Sequence, residues 1–511
     1  MVGCREYLQQ EQVPRTAGPF VNLKSTIIAF ILICFIPTTV LAAAENLALP
    51  DIGDSSATSL TPADEKRIGQ DMMRSIRQSG SLINDPEIEN YVRNLGYRLV
   101  SASDEGAAGF NFYVIDNPTI NAFAMPGGYV VIHSGLILAS RSESELAGVM
   151  AHEIAHVTQH HLARSYEKAS QMNMPLTAAV IAAILLGASN PQMGQAALAA
   201  SMAGGTQAQL DFTRANEREA DRVGMQMLAG AGFDPNGMPS FFERLQQEYR
   251  FASSGLPEFL STHPVTLNRI ADSRNRAAQY PHGLETDSIN YHLIKAKLRV
   301  LEAKDPAKLA QRVGEDLAQG RYDNQTAERY TYALALQRTG QYAEAHSQLQ
   351  RLLKQDPGRI AYLLALASVE ADAKQPAAAR AVYRKGLDLY PDNALLTLSY
   401  AAFMLQQQDN RNAAALLQEY TRTRSTPARA YELLAEAESR NGNKGISHIA
   451  LADYYQALGE TPTAIEQLLL ARRSRGLDFY HQSLIEAKLT QLRDQQSPTS
   501  RRSKDSEKNF Q

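Results

Sequence analysis

Two histidines and a glutamate in the segment His-Glu-Ile-Ala-His, residues 152–156, have the types and spacing of a metal-dependent hydrolytic site. On a helix, His152 and His156 share one face with Cβ atoms about 5–6 Å apart, so both rings can bind one ion. Glu153 lies too far round the helix to join them as an equal ligand, but it can take a proton from a metal-activated water. The spacing therefore predicts one zinc ion per chain, two histidine ligands and Glu153 as the catalytic base.

A catalytic zinc needs a third protein ligand, and the acidic segment 216–221 offers one. If this segment is helical, Glu217 and Asp221 share a face, whereas Glu219 lies about 200° round the helix from Glu217. We therefore expect Glu217 to bind the metal. Asp221, one turn further, is expected to accept the free N–H of a ligating imidazole and so to fix its tautomer. A solvated, charged helix face is the alternative interpretation of the segment.

Three further histidines lie near these residues in the sequence or in a later loop. His160 and His161 continue the metal helix, but His160 is about 12 Å along the axis from His152 and cannot comfortably share its ion. His160 is therefore interpreted as a polar helix-end residue. His263 precedes Pro264 in a loop, which can deliver a side chain to a site built on other elements. It could stabilise the oxyanion, fill the open metal position as a fourth ligand, or be a surface histidine.

The residue pattern around the motif indicates mostly helix with a small sheet. Ser142 begins a Ser-x-x-Glu segment that can act as a capping box, and helical spacing continues past His156. The predicted elements are helices at 64–100, 142–165, 206–229 and 237–249 and neighbouring β-rich strands at 110–115 and 129–132. The Ala/Met/Gly-rich stretch 175–205 is too short in its apolar run to span a bilayer, and is interpreted as a buried helical hairpin or a mobile apolar lid.

Beyond about residue 291 the chain is helical with an internal period. Pro357 and Pro391 are 34 residues apart, and so are Ala345 and Ala379. A proline that closes each unit and a small alanine in the second helix, at this period, are typical of tetratricopeptide repeats, of which we expect about four. Each repeat buries its apolar face on its neighbour, so the stack is expected to form a curved solenoid whose concave surface suits extended peptides or partner helices.

The N-terminus has the order of a secretory signal. Lys24 precedes an uncharged run, residues 25–41, and then the small residues 42–44. The run is shorter than the roughly 20 apolar residues that an uncleaved anchor needs, so cleavage is the favoured interpretation. Both cysteines, Cys4 and Cys34, lie in this leader, so no disulfide is expected after cleavage. The periplasm of a bacterium fits best.

Charge excludes one class of partner. The 51 Lys and Arg residues and 54 Asp and Glu residues give a formal net charge of −3, with no large basic field for nucleic acid.

The predicted organisation is a signal peptide at 1–44, a linker at 45–60, a zinc metallopeptidase domain at 61–285, a tetratricopeptide-repeat domain at 286–492 and a disordered tail at 493–511.

The motifs of this sequence resemble those of the gluzincin metallopeptidases of CAAX-prenyl-protease type. Within that group they resemble the periplasmic members with C-terminal tetratricopeptide repeats. The resemblance covers nearly all of the chain after the leader. It rests on Asn-Ala-Phe-Ala-Met-Pro-Gly-Gly at 121–128, the His-Glu-Ile-Ala-His motif, Glu217 to Asp221, His263-Pro264 with Arg269, and the repeats. It implies an α+β zincin-like metallopeptidase domain, mostly helical with a small β-sheet, followed by an all-α tetratricopeptide-repeat solenoid.

The resemblance also implies roles for particular residues. In such proteins the histidine pair and the first glutamate of Glu-x-x-Ala-Asp bind zinc, which transfers to His152, His156 and Glu217, with Glu153 as the base. The segment that ends at Gly127-Gly128 lies beside the active-site cleft, where nearby residues could pair with substrate backbone, or form only a tight turn. A resting state is implied in which the His263 loop caps the zinc and an apolar helix plugs the cleft.

At the level of function, the resemblance implies degradation of misassembled outer-membrane β-barrel proteins and assistance to their assembly, with the repeat domain docked on the assembly machinery. Peripheral association with a membrane is compatible with this role. The competing class is a non-enzymatic chaperone or scaffold with structural zinc, but such zinc sites are normally closed by four protein ligands. A zinc carrier or sensor would explain neither Glu153 nor the repeats.

Overall fold

The computed structural model describes residues 60–103, 109–171, 207–249, 258–281, 287–423 and 426–496. The predicted leader, the apolar stretch 175–205 and the chain from residue 497 onwards lie outside the described residues, as does the predicted linker except for Leu60. None of the described helices combines the length and apolar character that a membrane crossing requires.

The N-terminal part of the described chain contains nine helices and three strands in the ranges above. They are α1 (Pro62–Ser79), α2 (Pro86–Val100), β1 (Asn111–Ile115), β2 (Ala122–Met125), β3 (Tyr129–His133), α3 (Ser134–Ala139), α4 (Glu143–Thr158), α5 (His161–Gln171), α6 (Gln207–Gly230), α7 (Gly237–Tyr249), α8 (Glu258–Thr262) and α9 (Leu267–Ala277). This order confirms the predicted α+β class.

The sheet has the strand order β1-β3-β2, with β1 parallel and β2 antiparallel to the central β3. The two predicted strands are therefore neighbours, as expected. The third strand, β2, was not predicted because it has only four residues and its two central side chains are half-buried, which gives a weak β-pattern. Gly127 and Gly128 make the turn from β2 to β3 with φ of 77° and 83°, which favours glycine at both positions.

Helix α4 is the centre of the N-terminal part. Its N-cap Ser142 accepts a hydrogen bond from the backbone N–H of Glu145, as the capping signal predicts. The helix is buried along nearly its whole length, including His152 and Glu153. The predicted continuation to residue 165 is wrong, because the chain turns at His160 with φ of 50° and a second helix, α5, begins at His161.

The predicted helix 64–100 is likewise two helices. Gly80 ends α1 in the left-handed conformation, and Asp85 begins α2 by accepting the N–H groups of Glu87 and Ile88 with its side chain. These signals end one helix and begin the next although the apolar residues keep helical spacing through the break. The spacing alone therefore predicted one helix where the structure has two.

Twelve helices follow in the described residues from Ile289 to Gln496. They are α10 (Ile289–Leu301), α11 (Pro306–Gln319), α12 (Gln325–Arg338), α13 (Tyr342–Gln355), α14 (Ile360–Asp372), α15 (Pro376–Leu389), α16 (Ala394–Gln406), α17 (Asn410–Thr423), α18 (Ala428–Arg440), α19 (Lys444–Ala457), α20 (Thr461–Arg473) and α21 (Phe479–Gln496). Taken two by two they make six helix pairs rather than about four.

The proline and alanine positions of the repeat explain why repeats were predicted and why their predicted number was too low. Ala345 and Ala379 are fully buried in the second helices of their pairs, and Pro357 and Pro391 lie in the loops between pairs, as expected. The first helix pair, α10 and α11, has no proline in the loop that follows it, so the period did not reveal it. In a stack, terminal units have only one neighbour and commonly depart from the repeat pattern.

The repeats contact the N-terminal part at both ends of the stack. Lys297 of α10 lies 2.9 Å from Asp85 and also pairs with Glu87 at the start of α2. At the other end, Arg77 of α1 lies 3.2 Å from Glu460, beside the start of α20. The first contact lies in the wall of a cleft of about 580 Å³, which α2 and repeat residues that include Tyr330 and Arg359 line.

Replacing Lys297 by alanine is expected to lower the free energy of unfolding by about 3 kcal/mol at neutral pH, because it leaves the Asp85 and Glu87 carboxylates close together without their cation. Urea unfolding followed by circular dichroism measures the change. Lys304→Ala, at an exposed position, is the control and should change stability by less than about 0.5 kcal/mol. Equal stabilities of the two variants would contradict the assigned role of the ion pair.

Candidate metal centre

Helix α4 presents both histidines of the motif on one face, as the spacing predicts. The Nε2 atoms of His152 and His156 are 3.1 Å apart. His152 is completely buried and His156 is half-buried. The two imidazole nitrogens therefore point toward a common position beside α4, which is the arrangement that a shared metal ion requires.

Helix α6 brings two carboxylates to the same position. Glu217 has one carboxylate oxygen 3.4 Å from His152 Nε2 and the other 3.4 Å from His156 Nε2. Asp221 lies behind the cluster, with Oδ1 3.0 Å from His152 Nδ1. The two helices approach closely because Gly224 has no side chain: a Cβ there would be 3.0 Å from the backbone nitrogen of His152.

Arg269 of α9 forms ion pairs with both buried carboxylates. Its Nε and Nη2 donate to Asp221 at 2.8 Å each, and its Nη1 is 2.8 Å from Glu217 and 2.9 Å from the carbonyl oxygen of Pro264. Burial alone would raise the pKa of Asp221, but the hydrogen bonds from Arg269 and His152 lower it below the usual value. One guanidinium group thus fixes the charge of the centre and holds the loop that carries His263.

His263 reaches the cluster from that loop. Its Nδ1 is 3.1 Å from Glu217 Oε1 and 3.3 Å from His152 Nε2, and its ring stacks on Phe259 at a centroid distance of 5.0 Å. The ligand atoms of His152, His156, Glu217 and His263 all lie within 4.8 Å of one another. Three imidazole nitrogens and one carboxylate oxygen at this spacing fit a small, tetrahedral divalent ion.

Glu153 lies next to this set on the same helix. It is 1% exposed, its Oε2 accepts the backbone N–H of Ala124 at 3.1 Å, and its Oε1 is 3.5 Å from His263 Nε2. Burial raises the pKa of the Glu153 carboxyl above its usual value. The carboxylate is thus held by strand β2 in surroundings that make it more basic than an exposed glutamate.

Sequence reasoning missed three residues behind His156. His161, to which no role was assigned, has Nδ1 2.9 Å from His156 Nδ1 and Nε2 3.2 Å from a Glu219 oxygen, and Arg164 donates to the same oxygen at 2.9 Å. Glu219 does point away from Glu217, as its helical position indicates, but toward His161. His160 is exposed, in agreement with its interpretation as a helix-end residue. The missing signal was the turn at His160, which returns His161 to the site.

The protonation of the two motif histidines differs. For His152, burial favours the neutral ring, but hydrogen bonds to Asp221 and Glu217 outweigh it and raise the pKa to about 9. For His156, burial and the neighbouring histidines hold the pKa well below its usual value, although Glu217 acts in the opposite sense. Without a metal, His152 is therefore a doubly protonated, cationic imidazolium at neutral pH, whereas His156 is a neutral imidazole with a single ring proton.

Comparison with known proteins agrees with this geometry. A model of peptidase family M48 matches residues 86–277, and a tetratricopeptide repeat model matches residues 330–394. The fold and these matches define a metallopeptidase with a helical-repeat domain.

The relatives specify the family. The β-barrel assembly-enhancing protease of Escherichia coli (strain K12) is 38% identical over 477 residues, which cover 93% of this chain and 97% of the relative. The putative β-barrel assembly-enhancing protease of Vibrio cholerae is 38% identical over 470 residues, 90% and 96% of the two chains. The mitochondrial metalloendopeptidase OMA1 of Schizosaccharomyces pombe is 31% identical over 210 residues, 40% and 59% of the two chains. The chain belongs to the family of the β-barrel assembly-enhancing proteases.

The apparent affinity for Zn²⁺ is expected to fall as the pH falls. Because the pKa of His152 in the metal-free site is about 9, the metal must displace one proton throughout the range from pH 8 to pH 6. The dissociation constant should rise about tenfold for each pH unit lost. Competition with a chelator of known affinity at pH 6, 7 and 8 measures it. A dissociation constant independent of pH would contradict the protonation assigned to His152.

Proposed function

We propose that this metallopeptidase is a zinc-dependent endopeptidase of the bacterial periplasm that hydrolyses misassembled outer-membrane β-barrel proteins and assists β-barrel assembly through its repeats. The observation that carries the proposal is the convergence of His152 Nε2, His156 Nε2 and Glu217 beside the buried Glu153. We take the first three as the metal ligands and Glu153 as the catalytic base, with Asp221 orienting His152.

The donor set favours zinc. Imidazole nitrogens with one carboxylate are the ligands of catalytic zinc sites. Both cysteines of the chain, Cys4 and Cys34, are far from this segment in sequence and lie outside the described residues, so the described cluster contains only nitrogen and oxygen donors. When bound, zinc supplies a Lewis acid that polarises the scissile carbonyl and lowers the pKa of an attacking water.

The protein groups then carry the proton transfers. Glu153 takes a proton from the attacking water and returns it to the leaving amine, and its raised pKa suits both steps. The backbone N–H of Ala124 holds Oε2 of Glu153, which leaves Oε1 facing the cluster. Asp221 Oδ1, 3.0 Å from His152 Nδ1, favours a proton on Nδ1 and so leaves the lone pair of Nε2 for the metal.

His263 is best assigned as a cap on the metal position. Its Nδ1 is close enough to Glu217 and His152 to join the donor set, which would then have four protein ligands. A fourth ligand fills the position that water or substrate needs, so hydrolysis requires His263 to leave. Stabilisation of the oxyanion by His263 is the alternative, and it predicts the opposite effect of removing the side chain.

Strand β2 is suited to bind an extended substrate. It is one of the two edge strands of the described sheet, and it is the one whose Ala124 N–H bonds to Glu153. An extended peptide that adds to this edge would pass directly beside the catalytic base. Unfolded β-barrel proteins consist largely of segments with strand-forming patterns, so they are fitting substrates for such an edge.

Location and partners rest on the leader and the repeats. The charged, apolar and small-residue order of residues 24–44 is that of a secretory signal, which supports the periplasm. The relatives are named for enhancing β-barrel assembly. A groove of about 660 Å³ along α11, α12 and α13, with Arg329, Arg351, Glu315 and Glu344 in its walls, supports docking of the β-barrel assembly machinery or of a substrate on the repeats.

Glu153→Gln is expected to reduce cleavage about 10²- to 10⁴-fold, because the amide cannot accept the proton of the attacking water, and to leave the zinc content unchanged. Cleavage of an unfolded outer-membrane β-barrel protein and metal analysis measure both quantities. Glu436→Gln, an exposed change in the repeats, is the control and should cleave normally. Unreduced cleavage by Glu153→Gln would defeat the assignment of the base.

His263→Ala is expected to increase cleavage at saturating zinc, by about tenfold if the uncapped form is a tenth of the wild-type population. If His263 instead stabilises the oxyanion, the same variant should lose about 10²- to 10³-fold in kcat. Protein that contains zinc but is inactive both as wild type and as His263→Ala would favour the scaffold alternative with a closed structural site.

A further inference from the structure

Each motif histidine is backed by a chain of polar contacts that ends at an arginine. Behind His152 the order is Asp221 and then Arg269, with contacts of 3.0 and 2.8 Å. Behind His156 the contacts pass through an additional imidazole, and the side chains are, in order, His161, Glu219 and Arg164, at 2.9, 3.2 and 2.9 Å.

We infer that His161 is a positioning residue of the metal site: its Nδ1 accepts the proton on His156 Nδ1, and its own Nε2–H is donated to Glu219, which fixes the tautomer and ring orientation of His156. The inference rests on the proposed role of His156 as a metal ligand. It assigns a function to His161, to which the sequence pattern gave none.

The direction of the hydrogen bonds follows from proton counting. For His156 Nε2 to offer its lone pair to a metal, a neutral His156 must carry its proton on Nδ1. That proton faces His161 Nδ1 at 2.9 Å, which must therefore be the unprotonated nitrogen, so His161 carries its own proton on Nε2. His161 Nε2 faces Glu219, whose carboxylate only accepts. Every polar atom in the series then has the partner that metal binding by His156 requires.

The local backbone serves this arrangement. His160 takes φ of 50° between the end of α4 and the start of α5, and the turn directs His161 back against the ring of His156. His161 is 4% exposed, whereas His160 is exposed. Glu219 is partly exposed and Arg164 holds it, so the series runs from the buried cluster to the protein surface.

An additional imidazole is needed because Asp221 and Glu219 project from different faces of α6. Asp221 shares a face with Glu217 and contacts His152 directly. Glu219 is directed away from Glu217 and does not reach the cluster itself, so a side chain with a nitrogen on each side of its ring joins it to His156. Such outer partners of metal ligands typically change metal affinity 10- to 100-fold.

The test compares Zn²⁺ affinity, measured by chelator competition, and the visible spectrum of the Co²⁺-substituted protein. His161→Leu should weaken Zn²⁺ binding roughly 10- to 100-fold and shift the Co²⁺ bands, because His156 loses its acceptor. His161→Asn, whose amide oxygen can accept in the place of Nδ1, should recover most of the affinity. His160→Asn is the matched control, since asparagine tolerates the left-handed conformation, and should bind as wild type.

A further variant guards against a failure of folding. Glu219→Ala removes a partly exposed side chain and should weaken Zn²⁺ binding about tenfold without changing the unfolding transition of the metal-free protein. Wild-type affinity and an unshifted Co²⁺ spectrum in both His161→Leu and Glu219→Ala would overturn the inference. Equal losses in His161→Asn and His161→Leu would also overturn it, since they would indicate lost packing rather than a lost acceptor.

His156→Ala separates the inference from the proposed function. If His156→Ala binds Zn²⁺ as the wild type does, the proposed ligand set fails, and the role of His161 fails with it. If His156→Ala loses the metal while His161→Leu keeps it, the ligand set stands and only the positioning role is overturned.

Discussion

The metal centre depends on one constraint: two carboxylates, Glu217 and Asp221, are buried within a few ångströms of each other and must be compensated. Isolated buried charges of this kind are very costly, and they persist only with close cationic and hydrogen-bonding partners. Arg269 and His152 each contact both carboxylates and together meet this need. Because Arg269 also bonds to the carbonyl of Pro264, a group that compensates the site also holds the His263 loop in place. Charge compensation and the position of the His263 loop are therefore physically linked.

The same centre shows how packing fixes chemistry. Helix α4 can carry its histidines in the interior because α6 approaches it at Gly224, where any side chain would press on the backbone of His152. A hydrogen bond from the Ala124 N–H of strand β2 to Glu153 joins the sheet to α4. Burial raises the pKa of the Glu153 carboxyl, and the sheet fixes the orientation of the same carboxyl.

Much of this arrangement was predictable from the sequence wherever local periodicity determines the answer. Spacing on one helix placed His152 beside His156, and helical angle separated Glu217 from Glu219. Spacing could not reveal that His161 returns to His156, because that contact depends on one residue, His160, in a left-handed conformation. Residue spacing also could not predict the short strand β2, because pairing with β3 stabilises this strand more than its own sequence does. The periodicity of a single helix or strand does not predict contacts that form only when separate elements pack together.

The contact between Arg77 and Glu460 joins residues 383 positions apart in the chain. Helix α1 precedes the catalytic helix, yet one of its packing partners is among the last elements to be synthesised. A chain that emerges from its N-terminus therefore has every ligand of the metal centre before the helix pair that braces α1 exists. A product truncated before residue 460 would carry the hydrolytic residues but lack the contact between α1 and the start of α20.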